Sequence, residues 1–315
     1  MKKIRILLPV YNEEESLRDF FSELNKTLLQ NNLYKFEILF VLDKSTDNTE
    51  KIVEDLCDLN SNCEALIMSS RFGHQECIYA GLEYSKNYDA VIMMDCDFQH
   101  PVNILDELLN KFSEGYEIVN TKRLENKERS FFKRIGTNLF YSLLKKYALP
   151  NLEKNSADFR LLSRRTVNTI LENFKENQIF IRGIISLIGF KSCSISFKEK
   201  PRKFGNTKYS FFKMIKFGIS GIVSFTSSPL YLIFFIGLLM TVFSFFVFAY
   251  YLIDYITSND LPPGWTSIAT LQLIFGSVSL LFIGFVGIYI GKIFDEIKSR
   301  PKYLIEKIIS KKANK

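Results

Sequence analysis

The sequence predicts an α/β fold, a mostly parallel sheet with helices on both faces, followed by amphipathic helices and two membrane-crossing helices. Three observations carry this expectation. Short β-rich runs alternate with helix-period segments over about the first 125 residues. Those runs are near-continuous in Val, Ile and Leu, the pattern of strands buried on both faces of a parallel sheet. Two long charge-free apolar runs then occupy much of the last third of the chain.

In chain order, the first strand reads "IRILLPV" (4–10) and the next four "FEILFVLD" (36–43), "CEALIMS" (63–69), "AVIMMD" (90–95) and "EIVNTK" (117–122). Helical periodicity fills the gaps over about 14–30, 46–59, 75–85 and 104–112. Connections of this kind are right-handed crossovers. The segment 126–227 differs. "RSFFKRIGTNLFYSLLKKYALP" (129–150) and "YSFFKMIKFGISGIVSF" (209–225) set Phe, Ile and Leu against Lys and Arg, as interfacial helices beside anionic headgroups do. For 129–150 a core-facing helix with a solvated basic side is an equal alternative.

The chain is 47% hydrophobic with 30 Phe, and that load is concentrated in two places. Leu230–Ile253 and Ile268–Gly291 each exceed the roughly 20 residues a helix needs to cross the hydrocarbon layer. Between them "DYITSNDLPPGWTS" carries no Lys or Arg, and Trp265 falls where an interfacial aromatic is expected. After them come Lys292, Lys298, Arg300, Lys302, Lys307, Lys311, Lys312 and Lys315. The positive-inside rule places that tail, and with two crossings the N-terminal part too, in the cytoplasm. The expected organisation is a catalytic domain over 1–208, a juxtamembrane helix over 209–227, two spans over 228–294 and a basic tail over 295–315. It is that of a multi-pass protein of the inner membrane.

"MKKIRILLPVYNEEE" has too short an apolar stretch for a signal peptide. Cys57, Cys63, Cys77, Cys96 and Cys193 form no C-x-x-C pair, and two His do not make a structural zinc site. The cysteines read as small core residues. No G-x-G-x-x-G follows the first strand, so an ordinary dinucleotide fold is unsupported.

In open α/β sheets ligands bind at the carboxyl ends of the strands. Here those ends carry Pro9-Val10-Tyr11-Asn12-Glu13, Asp43, Arg71, and Asp95 with Asp97. At a strand end, side chains at i and i+2 point the same way, so Asp95 and Asp97 face one spot and repel unless a cation lies between them. Oxygen ligands without His or Cys suit Mg²⁺ or Mn²⁺, and Gln99 adds a carbonyl oxygen if the spacing persists. A lone D-x-D recurs by chance, so its place opposite Asp43 and Glu13 carries the argument.

"LLPVYNEEESL", "DKSTDNT", "SRFGHQECIYAGL", "DCDFQHP", "DFRLLSR", "IRGIISLIGF" and "RKFGNTKYS" occur in the order seen in family-2 glycosyltransferases of the polyprenyl-phosphate type, which the chain resembles over nearly its whole length. The resemblance implies a GT-A-like, Rossmann-type domain. It also implies an inverting transfer of sugar from a UDP- or GDP-linked donor to polyprenyl phosphate, undecaprenyl phosphate in a bacterial envelope pathway. It places Pro9, Tyr11, Glu13, Asp43 and Asp95 at the nucleotide, and Asp95, Asp97 and Gln99 on the metal. Asp158, with Arg160 beside it, falls near the reacting sugar; Asp97 shares the catalytic role, and Arg182, Arg202 and Lys208 form a phosphate-binding set. Fixed Arg charge is what a donor diphosphate and an acceptor phosphate require in any case. A homo-oligomer is a further expectation; a nucleic-acid partner is not.

The chain departs from the family pattern at Lys44, which replaces a Gly after Asp43, at Arg71 directly before Phe72, and at Asn206 and Thr207 in "GNTKYS". His74 reads as structural, near the site's edge. Two other enzyme readings stand beside the main one. A processive synthase would need Q-x-x-R-W, which is absent. Transfer to diacylglycerol would need a general base for a neutral hydroxyl. The non-enzymatic reading is a membrane-anchored nucleotide-binding scaffold.

Overall fold

The computed structural model describes residues 1–124, 156–176, 179–198, 228–258, 264–298 and 300–310. The expected helices 129–150 and 209–225 lie outside the described residues, as do Arg202 and Lys208. The chain divides into two compact units. One holds Met1–Lys145, Leu149–Tyr209 and Arg300–Lys315; the other holds Lys146–Ala148 and Ser210–Ser299.

In the first unit the chain runs β1 (Lys2–Val10), α1 (Leu17–Gln30), β2 (Tyr34–Leu42), α2 (Thr49–Leu59), β3 (Cys63–Met68), α3 (His74–Tyr84), β4 (Ala90–Met93), α4 (Leu105–Ser113) and β5 (Ile118–Arg123). It continues through β6 (Ser156–Ser163), α5 (Arg164–Asn173), α6 (Ile181–Ile188) and β7 (Ser192–Phe197). The strands form one sheet of order β7-β5-β6-β4-β1-β2-β3-β8, where β8 is Ile305–Ser310. β1–β2, β1–β4, β2–β3 and β5–β7 pair parallel. β6 runs antiparallel between β4 and β5, and β8 antiparallel on β3.

The period-2 geometry of a strand sends alternate β1 side chains to opposite faces. Ile4, Ile6 and Leu8 join Phe20, Leu24, Val53, Leu56 and Leu108 on the face covered by α1, α2 and α4. Leu7 joins Leu39, Leu66, Ile78, Val167 and Ile184 on the face covered by α3, α5 and α6. Helices thus cover both faces, and burial on both sides is why these strands show no apolar–polar alternation.

Two glycines set α3. Gly73 adopts φ +121°, a conformation L side chains rarely take, and lets β3 turn into the helix. Gly81 presses against β1: a Cβ there would stand 2.0 Å from Leu7 Cδ1 and 3.0 Å from its Cγ.

Among the described residues, three strands lie beyond the five expected from the alternating N-terminal region. β6, "SADFRLLS", is buried from end to end although it carries Asp158 and Arg160, and that charge hides it from a hydropathy reading. β7 extends the far edge. The basic tail supplies β8, tied down by Lys44 Nζ to Glu306 Oε2 at 2.8 Å, Lys307 Nζ to Glu54 Oε1 at 2.6 Å and the Tyr303 hydroxyl to Glu83 Oε2 at 2.7 Å.

The second unit contains α7 (Ser228–Ser258) and α8 (Trp265–Ile297). Among the described residues one segment, Val278–Ile297, is long and apolar enough to cross a membrane, with mean hydropathy 1.8 and none of it buried. Exposed Phe234, Phe243, Phe246, Leu280 and Leu281 give this unit a surface that water does not favour.

Candidate active site

Strand order reverses between β1 and β4, since β2 and β3 lie on one side of β1 and β4 on the other. Ligand crevices open at such a switch, at the carboxyl ends of the strands. Pro9 helps open it: β1–β4 pairing ends at Leu7–Met93, and Pro9 has no N–H to extend it.

β4 stops at Met93 rather than running to Asp95, so Asp95 and Asp97 stand on the following loop and not on a strand end. The loop is closed by its own hydrogen bonds. The Asp95 N–H donates to His100 Nδ1 at 2.9 Å, and the Gln99 N–H donates to Asp97 Oδ1 at 3.1 Å. Between them Phe98 takes φ 61°, a left-handed conformation costly for a bulky residue. Its ring is buried edge-on against Phe20 at 5.6 Å, which offsets that cost. His100 is buried and stacked on Phe159 at 5.2 Å. Burial lowers its pKa, against the pull of Asp95, so it stays neutral and accepts from the loop backbone.

Cys96, buried beneath the loop, marks where the charge collects: burial first, then the carboxylates of Glu13, Asp95 and Asp97, hold its thiol far above the ordinary range. Among the described residues no three His, Cys, Asp or Glu side chains form a metal cage. Asp95, a quarter exposed, and buried Asp97 offer a partial oxygen set. Such a set fits a hard divalent ion that completes its shell with substrate phosphate and water.

Beside this loop lies Asp158. The β4–β6 register ends at Met93 paired with Arg160, two residues from each acid, and a single atom, His74 Nε2, lies 3.7 Å from Asp95 Oδ1 and 3.6 Å from Asp158 Oδ2. Asp158 is gripped by Arg182, Nε to Oδ1 at 2.6 Å and an Nη to Oδ2 at 2.7 Å. Burial opposes its charge, but the Arg182 fork and His74 outweigh burial and hold the carboxyl well below the usual carboxylate range. Arg182 is therefore ion-paired, and its side chain remains 27% exposed. Arg160, expected beside Asp158 near the reacting sugar, is fully buried: it donates to the Ala157 carbonyl at 2.7 Å and stands 3.8 Å from Asp158 Oδ1.

His74, expected to be structural, stands in the site. Its Nε2 is 3.7 Å from Asp95 Oδ1 and 3.6 Å from Asp158 Oδ2. Burial would lower its pKa, but the two carboxylates raise it to about 9. The signal for it was its position, in the turn after strand three at the sheet edge where the acids gather.

The nucleotide-side residues are present but differently engaged. Asp43 turns inward: its carboxylate accepts the Phe72 N–H at 2.9 Å and the Gly73 N–H at 3.0 Å, which pins the β3–α3 turn. Glu13 accepts from the Ser16 hydroxyl, and its N–H donates to Thr49 Oγ1 at 2.9 Å. Tyr11 carries the Arg71 guanidinium 4.3 Å above its ring, so the shifted Arg71 still belongs to this edge.

A family model described as Glycosyl transferase family 2 matches residues 5–171. The chain is 33% identical over 302 residues to the uncharacterized glycosyltransferase YkcC of Bacillus subtilis (strain 168), covering 96% of this chain and 93% of that one. It is 33% identical over 305 residues to the SfII prophage-derived bactoprenol glucosyl transferase of Shigella flexneri, covering 97% and 98%. Among solved structures it is similar to glucosyl-3-phosphoglycerate synthase from Mycobacterium tuberculosis in complex with Mn²⁺, UDP-glucose and phosphoglyceric acid, with TM-score 0.46, 16% identity and coverage of 71% and 79%. With the family model spanning more than half of the chain and these relatives nearly all of it, the chain belongs to glycosyl transferase family 2.

Proposed function

We propose that this glycosyltransferase moves a sugar from a nucleotide-sugar to a polyprenyl phosphate, undecaprenyl phosphate in a bacterial membrane, with inversion at the anomeric carbon. The observation that carries the reading is the ionised, Arg-gripped Asp158 standing across His74 from Asp95. Full-length similarity to bactoprenol glucosyl transferases supports the lipid acceptor and makes glucose the first sugar to test.

The chemistry follows from charge. A departing nucleoside diphosphate gains negative charge, and Asp95, Asp97 and Gln99 would hold an Mg²⁺ or Mn²⁺ ion that neutralises it. Arg182, Arg202 and Lys208 would hold the phosphates. The acceptor phosphate is already anionic, so its oxygen attacks without a strong base. Asp158 suits that role: a carboxyl held this low is a poor proton acceptor but a stable negative charge beside a sugar that becomes cationic in the transition state. Transfer to diacylglycerol would need the opposite, a carboxyl raised toward neutrality. Tyr11, Glu13 and Pro9 would line the nucleotide end, with Asp43 acting through the turn it pins.

Two crossings by α7 and α8, with the basic tail inside, would put the catalytic unit on the cytoplasmic face where the lipid phosphate lies. Radiolabel transfer from a panel of nucleotide-sugars into undecaprenyl phosphate, with Mn²⁺, Mg²⁺ or EDTA, tests the reaction. Metal-dependent labelling from one donor is the expected result. Donor binding without labelled lipid overturns the acceptor, and no donor binding with any metal overturns the reaction.

A further inference from the structure

The backbone that carries His74 is fixed on both sides, although the side chain is 43% exposed. It is the first residue of α3, directly after Gly73, and Asp43 clamps the N–H groups of Phe72 and Gly73 on which that turn depends. The next residue ties the helix to α6: Gln75 Oε1 accepts the Ile181 N–H at 3.1 Å, one residue before Arg182. The close packing of Gly81 on Leu7 sets the helix against the sheet. The imidazole is thereby carried to a defined point between the acid loop and Asp158.

At that point its Nε2 lies 3.7 Å from one carboxylate and 3.6 Å from the other. Both gaps exceed the roughly 3.2 Å limit of a good N–H···O bond. The nitrogen thus faces both carboxylates without closing a short bond to either. The space beside it is bounded by a candidate metal ligand on one side and the Arg-gripped carboxylate on the other.

Resting on the reading of this site as that of a nucleotide-sugar transferase, we infer that His74 is a donor-binding residue. Its Nε2–H contacts a hydroxyl of the transferred sugar between Asp95 and Asp158, and so helps select the sugar. The assigned contact is with the sugar, so binding of the nucleotide alone does not call on it.

The test separates sugar from nucleotide. His74→Leu and His74→Gln are made in the full chain, Gln because its side-chain N–H falls near the position of Nε2. Affinities are measured for UDP-glucose against UDP, or for whichever donor labels lipid in the transfer panel against its nucleotide. His74→Leu is expected to weaken the nucleotide-sugar about tenfold, the loss of one hydrogen bond to a partner in a charged setting. It leaves the free nucleotide within about twofold, and His74→Gln recovers most of the loss. Equal weakening of sugar and nucleotide, or a Gln variant no better than Leu, overturns the assignment. A wild-type protein that binds no nucleotide-sugar overturns the proposed reaction first, whereas a wild type that binds, with variants indistinguishable from it, overturns only His74.

Discussion

Asp158 of β6 and Arg182 of α6 meet through both carboxylate oxygens, at 2.6 and 2.7 Å, joining the antiparallel strand to the helix behind it. Breaking a buried pair from one side leaves its partner uncompensated. Arg182→Ala is expected to cost about 3 kcal/mol, the low end for such losses because Arg182 keeps some exposure, and to abolish transfer. Arg182→Lys retains the charge but not the fork, so it recovers part of the stability and little of the activity. Urea unfolding in detergent beside transfer rates checks both; an Ala variant as stable as wild type would refute the pairing's weight.

The same pair has an acid signature. A carboxyl depressed in the folded state gives stability that is present above its unfolded value of about 3.9 and is lost as pH falls toward the folded one. Asp158 is depressed, so wild type loses stability below about pH 4 and Asp158→Asn lacks that part of the slope. Unfolding midpoints between neutral pH and the acid limit compare the two. Matching slopes would contradict the depressed carboxyl.

Asp95→Asn and Asp97→Asn are expected to lower transfer by about a hundredfold or more, the scale of losing charge stabilisation at a leaving group. Folding should be little changed, because the Asp95 backbone N–H, not its carboxylate, closes the loop onto His100, and an asparagine at position 97 keeps the oxygen that accepts the Gln99 N–H. Mn²⁺ titration in the presence of nucleotide should show weakened binding in both variants. Undiminished metal binding and turnover would remove these acids from the reaction.

At Gly81 a methyl group has no room: Leu7, buried at the sheet centre, stands in its place. Gly81→Ala is expected to destabilise by about 1–3 kcal/mol and to lower activity by moving the helix that bears His74. Combined with Leu7→Ala it should cost less than the two single changes summed. Strict additivity in thermal unfolding would show that the two sites do not touch.

β8 covers the β3 edge, and an uncovered apolar edge invites pairing with other chains. Deleting residues 303–315 is expected to lower the unfolding temperature and produce concentration-dependent aggregation in detergent. It also frees Lys44, next to Asp43, from Glu306. Light scattering and thermal scans of the deletion against the full chain decide it; an unchanged, monodisperse protein would mean the strand contributes nothing.

The parallel core was legible in the sequence because its strands are apolar almost throughout, the pattern that burial on both faces produces. The site's place was legible for a related reason: Tyr11, Glu13, Asp43, Asp95 and Asp97 all follow apolar runs, where charge has no place unless the strand has ended. Local pattern stops there. β6 carries Asp158 and Arg160 inside a fully buried strand, and β8 is a tail that reads as basic; each becomes a strand only because a neighbour's edge accepts its hydrogen bonds. Asp43 turns into the β3–α3 turn, where its carboxylate accepts two backbone N–H bonds, and His74 turns out between two acids. Composition and spacing along the chain determined the layers and the edge at which chemistry gathers. Which carboxylate meets Arg182, which pins a turn and which stays open to a ligand was decided by the tertiary structure, because hydrogen bonds depend on angles and distances between segments that no local pattern encodes.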